Sequence, residues 1–573
     1  MSGPGDRAPK PASSGNVNAD AVRCGGRPRR GSDESGLGRH AAPGSDEFGT
    51  LTRSSAREPG DLDDASSPMV DDGQPREGES RKPWQQVAEK SDEAVVPKKP
   101  AKTWVTPVEL VEGRAEAKGK SAARNASSTQ SEHEALTFLQ RIGERAKQRP
   151  AEKWTNLLSH MQLSLLKEAY LRLRRNAAAG VDEVTWVEYG ERLDERLRDL
   201  EGRVHCGSYH PQPVRRVLIP KGDGKTRPLG IPALEDKIVQ QAVRMILEPI
   251  FEATFVGFSY GFRPRRSPHN ALDALAVAIS KKVNWVLDAD IEAFFDTIDH
   301  RRLQEFIEHR IGDTRMVRLL MKWLKAGVME EGKLHETQAG TPQGGIISPL
   351  LANLYLHYVL DLWALSWRKK QASGEMYIVR YADDFVMAFQ KEQDAAAMHR
   401  ALARRLADFG LKLHPQKTRV IEFGRFASVT RERRGLGKPE TFEFLGFTHI
   451  AGLGRDGKFQ LKRRSSRKKR RAKLASLKEE CERRRHDQVG EQHAWLSQVL
   501  NGHYRYYGVP TNYQALGQFR RRVRAIWFCS LARRSQRARW TRERLETFEK
   551  RFLLPMPRLH HPWPDKRFAL RRP

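Results

Sequence analysis

Long apolar runs are missing from this chain of 573 residues. None approaches the roughly 18 residues that a membrane span requires. The opening Met1-Ser2-Gly3-Pro4-Gly5 begins no apolar stretch of the signal-peptide kind, so a cytosolic protein with no membrane partner is expected. Cysteine is scarce: Cys24, Cys206, Cys481 and Cys529 lie far apart and form no CxxC pair. That spacing argues against both a disulfide framework and a zinc ribbon. Acidic residues are in deficit as well, with 71 Asp and Glu against 102 Lys and Arg and a formal net charge of +31. So large an excess fits poorly with an enzyme of small metabolites. A membrane surface or mere solubility could use the charge, but a nucleic-acid partner accounts for it best, because neutralised phosphates release counterions and long-range attraction speeds encounter.

The texture changes along the chain. Residues 1–130 are rich in Gly, Pro, Ser, Asp and Arg and poor in large apolar side chains; such a segment cannot bury enough surface to offset its ordering entropy, and disorder is expected there. From about Glu132, Leu136, Phe138, Leu139, Leu157, Leu158, Met161, Leu163, Leu166 and Tyr170 fall at amphipathic-helix spacings. Between 209 and 447, short apolar runs alternate with Gly/Pro turns. The pattern predicts strands over 214–219, 285–291, 377–380 and 385–389, and helices over 271–280 and 395–408. No regular βαβ repeat emerges, so the class is α+β. Three parts are expected: 1–130, 131–450 and a basic helical 451–573. In the last, nine of the twelve residues from 462 to 473 are Lys or Arg, including Arg467, Lys468, Lys469, Arg470 and Arg471. Downstream, Trp495, Tyr504, Tyr506, Tyr507, Tyr513, Phe519, Trp527 and Phe528 are interleaved with arginines. That mixture suits stacking and phosphate contact on RNA; taken singly, the aromatics fit a helical-bundle core equally well.

The sharpest signal is Tyr381-Ala382-Asp383-Asp384 between two apolar strand-like runs. Adjacent carboxylates in such surroundings are costly to desolvate without a cation, although an isolated Asp-Asp is more often a polar turn. A second segment changes the balance: 285–291 delivers Asp288 and Asp290 to one strand face by the two-residue period. Hard oxygen ligands from two separate segments are what two-metal phosphoryl transfer needs.

These segments resemble the catalytic blocks of reverse transcriptases. Asp290-Ile291-Glu292-Ala293-Phe294-Phe295 is similar to the first block and Tyr381-Ala382-Asp383-Asp384 to the signature box. The resemblance implies two Mg2+ ions held by Asp290 and Asp383, with Asp384 a weaker ligand and Ile291 alongside. Asp288 competes on spacing alone, and the family pattern favours Asp290. Phe295 matches the position that excludes a nucleotide 2′-hydroxyl, implying dNTP substrates. Residues 219–232 resemble the fingers hairpin, with Lys221 and Arg227 placed to grip a triphosphate. Phe258-Ser259-Tyr260-Gly261-Phe262-Arg263-Pro264 and 340–350 are similar to two further blocks, the latter bringing Gln343 and Gly344 to the nucleotide and template pocket. Residues 410–418 resemble the sixth block, with Lys417 beside the pyrophosphate, and Phe444-Leu445-Gly446-Phe447 the seventh, where the primer would rest. Together they cover roughly 170–450 in the right order.

The flanks resemble the proteins encoded by group II introns. Asn176-Ala177-Ala178-Ala179-Gly180-Val181-Asp182 is similar to their extra N-terminal block, with Glu183 where Gly is usual, and 501–510 resembles the start of their maturase, or thumb, module. His560-His561-Pro562-Trp563-Pro564 looks like the terminus of some bacterial members, which implies a bacterial cytoplasmic setting. Closely spaced Cys and His ligands for an endonuclease are missing. The resemblance therefore implies a right-hand polymerase with fingers and palm followed by a helical thumb, of the endonuclease-lacking type. Its partners would be intron RNA, a DNA primer or target, and dNTPs, with roles in splicing and retrohoming. A splicing cofactor with a silent polymerase is disfavoured by the intact Asp290, Asp383 and Asp384, and a retron or CRISPR accessory enzyme by the thumb module.

Overall fold

The computed structural model describes residues 126–220, 226–330, 333–335, 340, 344–454, 456–534 and 541–564. Most of the expected disordered segment therefore lies outside the described residues. Its last part does not: helix α1 (Ala126–Gln148) begins inside it. Among the described residues no helix is long and apolar enough to cross a membrane.

Helices α1, α2 (Leu163–Arg172) and α3 (Leu193–Cys206) share one core with α4 (Leu234–Glu252). Apolar residues on several faces of α4, among them Ile238, Val239, Ala242, Val243, Ile246, Leu247, Ile250 and Phe251, bury it almost completely, as expected of a helix at the centre of a domain. The block 176–182 fastens its start: Asp182 Oδ2 accepts from the Leu234 amide (3.2 Å), and the Ala178 carbonyl accepts from Lys237 Nζ (2.7 Å). Glu183, noted above as standing where Gly is usual, has φ +56°, the left-handed region that disfavours a side chain with a Cβ.

The strands, in chain order, are β1 Val214–Pro220, β2 Thr226–Ile231, β3 Trp285–Asp290, β4 Val328–Glu330, β5 Lys333–His335, β6 Met376–Tyr381, β7 Asp384–Phe389, β8 Arg419–Glu422, β9 Phe442–Phe444, β10 Phe447–Leu453 and β11 Phe459–Ser465. They form three sheets, ordered β2-β1-β4-β5, β6-β7-β3-β8 and β11-β10-β9. The central sheet is antiparallel throughout. Its two faces follow from alternation. Leu287, Ala289, Ile378, Phe385, Met387 and Phe389 face one core, with helices α6 (Ser348–Leu356) and α7 (Glu392–Ala407). Val286, Val379, Val386 and Ala388 face a second core with helix α5 (Pro268–Ile279). The order is α+β, as expected.

The boundary expected at 450 falls inside β10 and is corrected here. The third sheet continues to Ser465, and its Phe442, Phe444, Phe447 and Leu461 pack into the second core. The first residues of the basic run are thus strand, and the helical region begins with α9 (Arg467–Arg483), preceded by a short helix α8 (Ala427–Arg433) in the palm. Helices α10 (Val489–Tyr507) and α11 (Tyr513–Ala532) complete a separate core with α9 around Leu496, Leu500, Tyr504, Phe519 and Trp527.

A buried ion pair lies beneath the β6–β7 hairpin. Arg380, whose side chain is 0% exposed, binds Asp361 in bidentate fashion, Nε to Oδ1 at 2.7 Å and Nη2 to Oδ2 at 2.6 Å. Its remaining nitrogen donates to Asn353 Oδ1 (3.0 Å) and to the Ala382 carbonyl at the hairpin tip (2.9 Å). Asp361 stands on a π-helical turn (His357–Asp361), a one-residue irregularity that often re-aims a side chain at functional sites. Asp361→Ala would strand the buried guanidinium and is expected to destabilise the fold by about 3–5 kcal/mol. Urea unfolding followed by tryptophan fluorescence measures this, and a shift near zero would show the pair to be incidental.

Candidate active site

The carboxylates meet at one end of the central sheet. Asp290, the last residue of β3, is the cross-strand partner of Asp384, the first of β7. Asp288 is two residues back on the same face, opposite Val386. Asp383 occupies the two-residue turn between β6 and β7, since Tyr381 pairs with Asp384. The other turn residue, Ala382, has φ +59°, a conformation unfavourable for alanine by about 1–2 kcal/mol. Strain of this kind persists where the surroundings over-determine it, and here they do. Gly261 lies so close behind that a Cβ there would come within 2.3 Å of the Ala382 nitrogen. Its own carbonyl accepts from Asn353 Nδ2 (2.6 Å). The block 258–263 runs alongside β6, exchanging Arg380 N to Phe258 O (2.9 Å) and Tyr260 N to Arg380 O (2.8 Å).

Crowding sets the electrostatics. Burial first, then the neighbouring Asp288, Asp383 and Asp290, push the Asp384 carboxyl up to about 7 against an opposing hydrogen bond from the Leu445 backbone. Burial likewise pushes Asp288 up to about 7, opposed by Arg419 and reinforced by Asp290 and Glu443. Arg419 Nε stands 3.9 Å from Asp288 Oδ2. Asp290 has a closer counter-charge: Lys417 Nζ donates to its Oδ2 at 2.5 Å. The segment carrying Lys417 crosses the end of β3, with His414 N donating to Asp290 O (2.8 Å) and Ile291 bridged to Leu413. Ile291 itself is buried. Among the described residues, no three His, Cys, Asp or Glu side chains already enclose a point as a closed metal cage would.

Around this centre the other expected residues are distributed unevenly. Phe295 sits half-buried on a one-turn helix, edge-on to the buried Phe294. Gly340 is fixed beside it, its amide donating to Ile298 O (2.8 Å) and its carbonyl accepting from His300 Nε2 (2.5 Å). Gly344, with φ +121°, packs so tightly on Gly230 of β2 that a Cβ would lie 2.3 Å from its carbonyl oxygen. Gly340 therefore stands at Phe295 and Gly344 at the β1–β2 hairpin. Lys221 and Gln343 lie outside the described residues. Arg227 is placed through its backbone alone, opposite Ile219 in the hairpin.

A tight turn closes the site from the far side. Leu445 (φ +49°) and Gly446 (φ +79°) join β9 to β10 with both residues left-handed, the type I′ pattern of two-residue hairpins. The segments that follow the third sheet hold this turn: Tyr506 Oη of α10 donates to Leu445 O (2.9 Å) and the Ser466 amide, just before α9, to Gly446 O (2.9 Å). Tyr506 and Tyr507 are half-buried against Phe447, so both pack α10 onto the third sheet. Tyr504 corrects the expectation of RNA contact outright. It is 1% exposed in the thumb core and its hydroxyl donates to Pro555 O (3.1 Å). Arg467, Lys468, Lys469 and Arg471 are exposed and Arg470 half-buried, all in the opening turns of α9.

Arg380, Asp361 and Asn353 are the supporting residues that sequence reasoning missed, and Gly261 was named only within its block. A charge inside the apolar run Tyr377-Ile378-Val379-Arg380-Tyr381 was the available signal, because a cation in a buried strand requires a buried partner.

Residues 219–449 match the family of reverse transcriptases, RNA-dependent DNA polymerases. Protein YkfC of Escherichia coli K12 is 38% identical over 274 residues, which are 42% of this chain and 71% of that protein. The group II intron-encoded protein LtrA of Lactococcus lactis is 39% identical over 237 residues, 41% of this chain and 39% of LtrA. Nuclear intron maturase 1 of Arabidopsis thaliana mitochondria is 30% identical over 94 residues, 16% of this chain and 13% of its own. With the carboxylates of two separate segments gathered at one sheet end, and with relatives of this kind, the chain belongs to the group II intron branch, reverse transcriptase and maturase, of the RNA-dependent DNA polymerases.

Proposed function

We propose that the chain extends a DNA primer on an RNA template by two-metal phosphoryl transfer from dNTPs, and that it binds its group II intron RNA as a maturase, serving splicing and retrohoming. The pairing of Asp290 with Asp384, with Asp383 at the adjoining strained turn, carries this reading. Mg2+ keeps several waters and takes one or two carboxylates plus substrate phosphate oxygens, so an open carboxylate group fits it better than a closed cage would. Burial, reinforced by the neighbouring carboxylates, pushes Asp384 and Asp288 up to about 7, and a divalent cation would offset both effects. Asp290 and Asp383 would hold both ions, with Asp384 and the Ile291 backbone beside them. Bound there, the ions would supply charge stabilisation for the attacking 3′-hydroxyl and the departing pyrophosphate.

The protein's own groups divide the remaining work. Phe295 would fill the space of a ribose 2′-hydroxyl and so select dNTPs. Lys221 and Arg227 would grip the triphosphate, and Gln343 and Gly344 would line the pocket that the fingers hairpin completes. Lys417, already ion-paired at Asp290, would move its ammonium toward the pyrophosphate. The bases of α9 cluster at the positive end of a helix dipole with no acidic residue in the first turn. Cations are unfavourable there and gain most from a polyanion.

Asp290→Ala and Asp383→Ala should each lower cDNA synthesis on poly(rA)/oligo(dT) by roughly 1000-fold or more. Asp288→Ala should show a clearly smaller loss, and an equal one would move the ligand role to Asp288. The Asp383→Asn, Asp384→Asn double variant should make no cDNA yet bind intron RNA with near wild-type affinity and promote splicing at low magnesium. Normal binding with splicing lost would remove the maturase half of the proposal. Neutralising Arg467, Lys468, Lys469 and Arg471 to Gln should flatten the plot of log affinity against log salt by roughly 0.7–0.9 per lost phosphate contact; an unchanged slope would make this turn a solvated face.

A further inference from the structure

After Phe423, which is buried in the second core, the chain leaves the central sheet for residues 425–441 and returns at Phe442 without building a core of its own. Of the side chains from 425 to 438 only Ala427 is buried. Large apolar residues are left in solvent: Phe426 is 57% exposed, Val429 48% and Leu436 46%. Yet the excursion is ordered by local bonds. Helix α8 forms within it, Leu436 N donates to Arg431 O (2.8 Å), Arg431 Nε to Gly437 O (3.0 Å), and Arg434 pairs with Glu422. Its charge is lopsided, with Arg425, Arg431, Arg433, Arg434 and Lys438 against Glu432 and Glu440. Arg425 reaches the preceding palm loop, donating to Ser280 O (3.2 Å), beside the exposed Lys281 and Lys282.

The place of this surface matters as much as its composition. Glu422 pairs with Trp285 at the start of β3, whereas the carboxylates gather at Asp290, the other end of that strand. Five residue steps separate them, about 17 Å at about 3.3 Å per residue. A strand lying in the catalytic cleft along the carboxylate end does not need this patch, and an exposed Phe among arginines is chemistry for unpaired bases and phosphates. Two copies of the chain docking here would bring like charges together, which disfavours self-association as the use of the apolar residues.

We propose that the α8 excursion is a second RNA-docking surface, at the base of the palm, which stacks Phe426 on an unpaired base of a folded RNA and neutralises its phosphates with Arg433 and Lys438. The identity of that RNA as the intron rests on the function proposed above; the surface itself does not. The surface lets one chain hold folded RNA and polymerise independently, because the two contacts lie at opposite ends of one sheet.

The test uses the full chain and two probes of equal length, a group II intron transcript and an unrelated folded RNA, with poly(rA)/oligo(dT) extension as the control. Phe426→Ala should weaken binding of the folded intron roughly tenfold at constant salt slope. Arg433→Gln with Lys438→Gln should flatten the log–log salt slope by about 1.5. Both variants should extend oligo(dT) like wild type. Wild-type affinity and slope in both variants would overturn the surface, even with intron preference intact. Equal wild-type binding of the two RNAs would overturn the intron reading, while loss of both in the variants would still uphold the surface. A concentration-dependent dimer in sedimentation that Phe426→Ala abolishes, with RNA binding unchanged, would assign the patch to self-association and overturn the proposal.

Discussion

Four acidic side chains, Asp288 and Asp290 of β3 and Asp383 and Asp384 of the β6–β7 hairpin, crowd the end of one sheet, and their repulsion works to part the hairpin from β3. The Arg380 guanidinium opposes this from behind. On the face of β6 away from the carboxylates, it takes both oxygens of Asp361, the amide oxygen of Asn353 and the carbonyl of Ala382 at the turn itself. A planar fork with fixed donors can satisfy these four acceptors at once; a lysine ammonium, with one nitrogen on a flexible stem, cannot. A buried pair of this kind contributes little net stability compared with an apolar replacement. What it contributes is position: Ala382 is held left-handed, and Asp383 and Asp384 are held in register with Asp290. Gly261 completes the anchorage, since only a residue without a Cβ lets the neighbouring segment rest on the turn.

The front of the site is held by a different part of the chain. The Leu445-Gly446 turn offers a backbone amide to Asp384 while its two carbonyls accept from Tyr506 and Ser466. One turn thus touches the catalytic strand on one side and two thumb helices on the other. Tyr506, Tyr507 and Val509 enter the same core as Val286 and Val386, so the C-terminal helices join the central sheet by shared packing. Any shift of α10 is therefore felt where a primer would rest, and the placement of Asp384 depends on segments more than a hundred residues apart in sequence.

Much of this was legible in the residues. Alternation alone put Asp288 and Asp290 on one strand face, and the apolar brackets around Asp383-Asp384 announced a hairpin. What could not be read was which side chain lies behind it, because Asp361 reaches Arg380 from a π-turn whose geometry leaves no periodic trace. The strand β11 was hidden for another reason: Lys462, Arg463 and Arg464 look like a solvated helix, although Arg463 is fully buried and ion-paired with Asp273 at 3.4 Å. Composition changed at that point while the sheet continued, and the boundary at 450 followed composition. Tyr504 is a separate case. Leu496, Leu500 and Tyr504 recur every four residues, one stripe of a helix, and that spacing marked the tyrosine as core where the aromatic–arginine texture suggested contact with RNA.

The distribution of charge follows from the same division of labour. At the sheet end burial, together with the gathered negative charge, pushes the Asp288 and Asp384 carboxyls up to about 7. Elsewhere the protein tolerates positive charge in places that weaken the isolated fold, such as the opening turn of α9. Neither arrangement is favourable by itself, and each would be relieved by a ligand of opposite sign: the proposed cations at the carboxylates, the proposed phosphates at the bases. Local unfavourable electrostatics that only a ligand relieves raises affinity for that ligand. In the carboxylate cluster the relief is confined to a few ångströms and screened little; on the surfaces it is spread over many contacts and falls steeply with salt. The α8 excursion is separated from the carboxylates by the length of the central sheet, whereas the opening turn of α9 is tied to them through Ser466 and the Leu445-Gly446 turn.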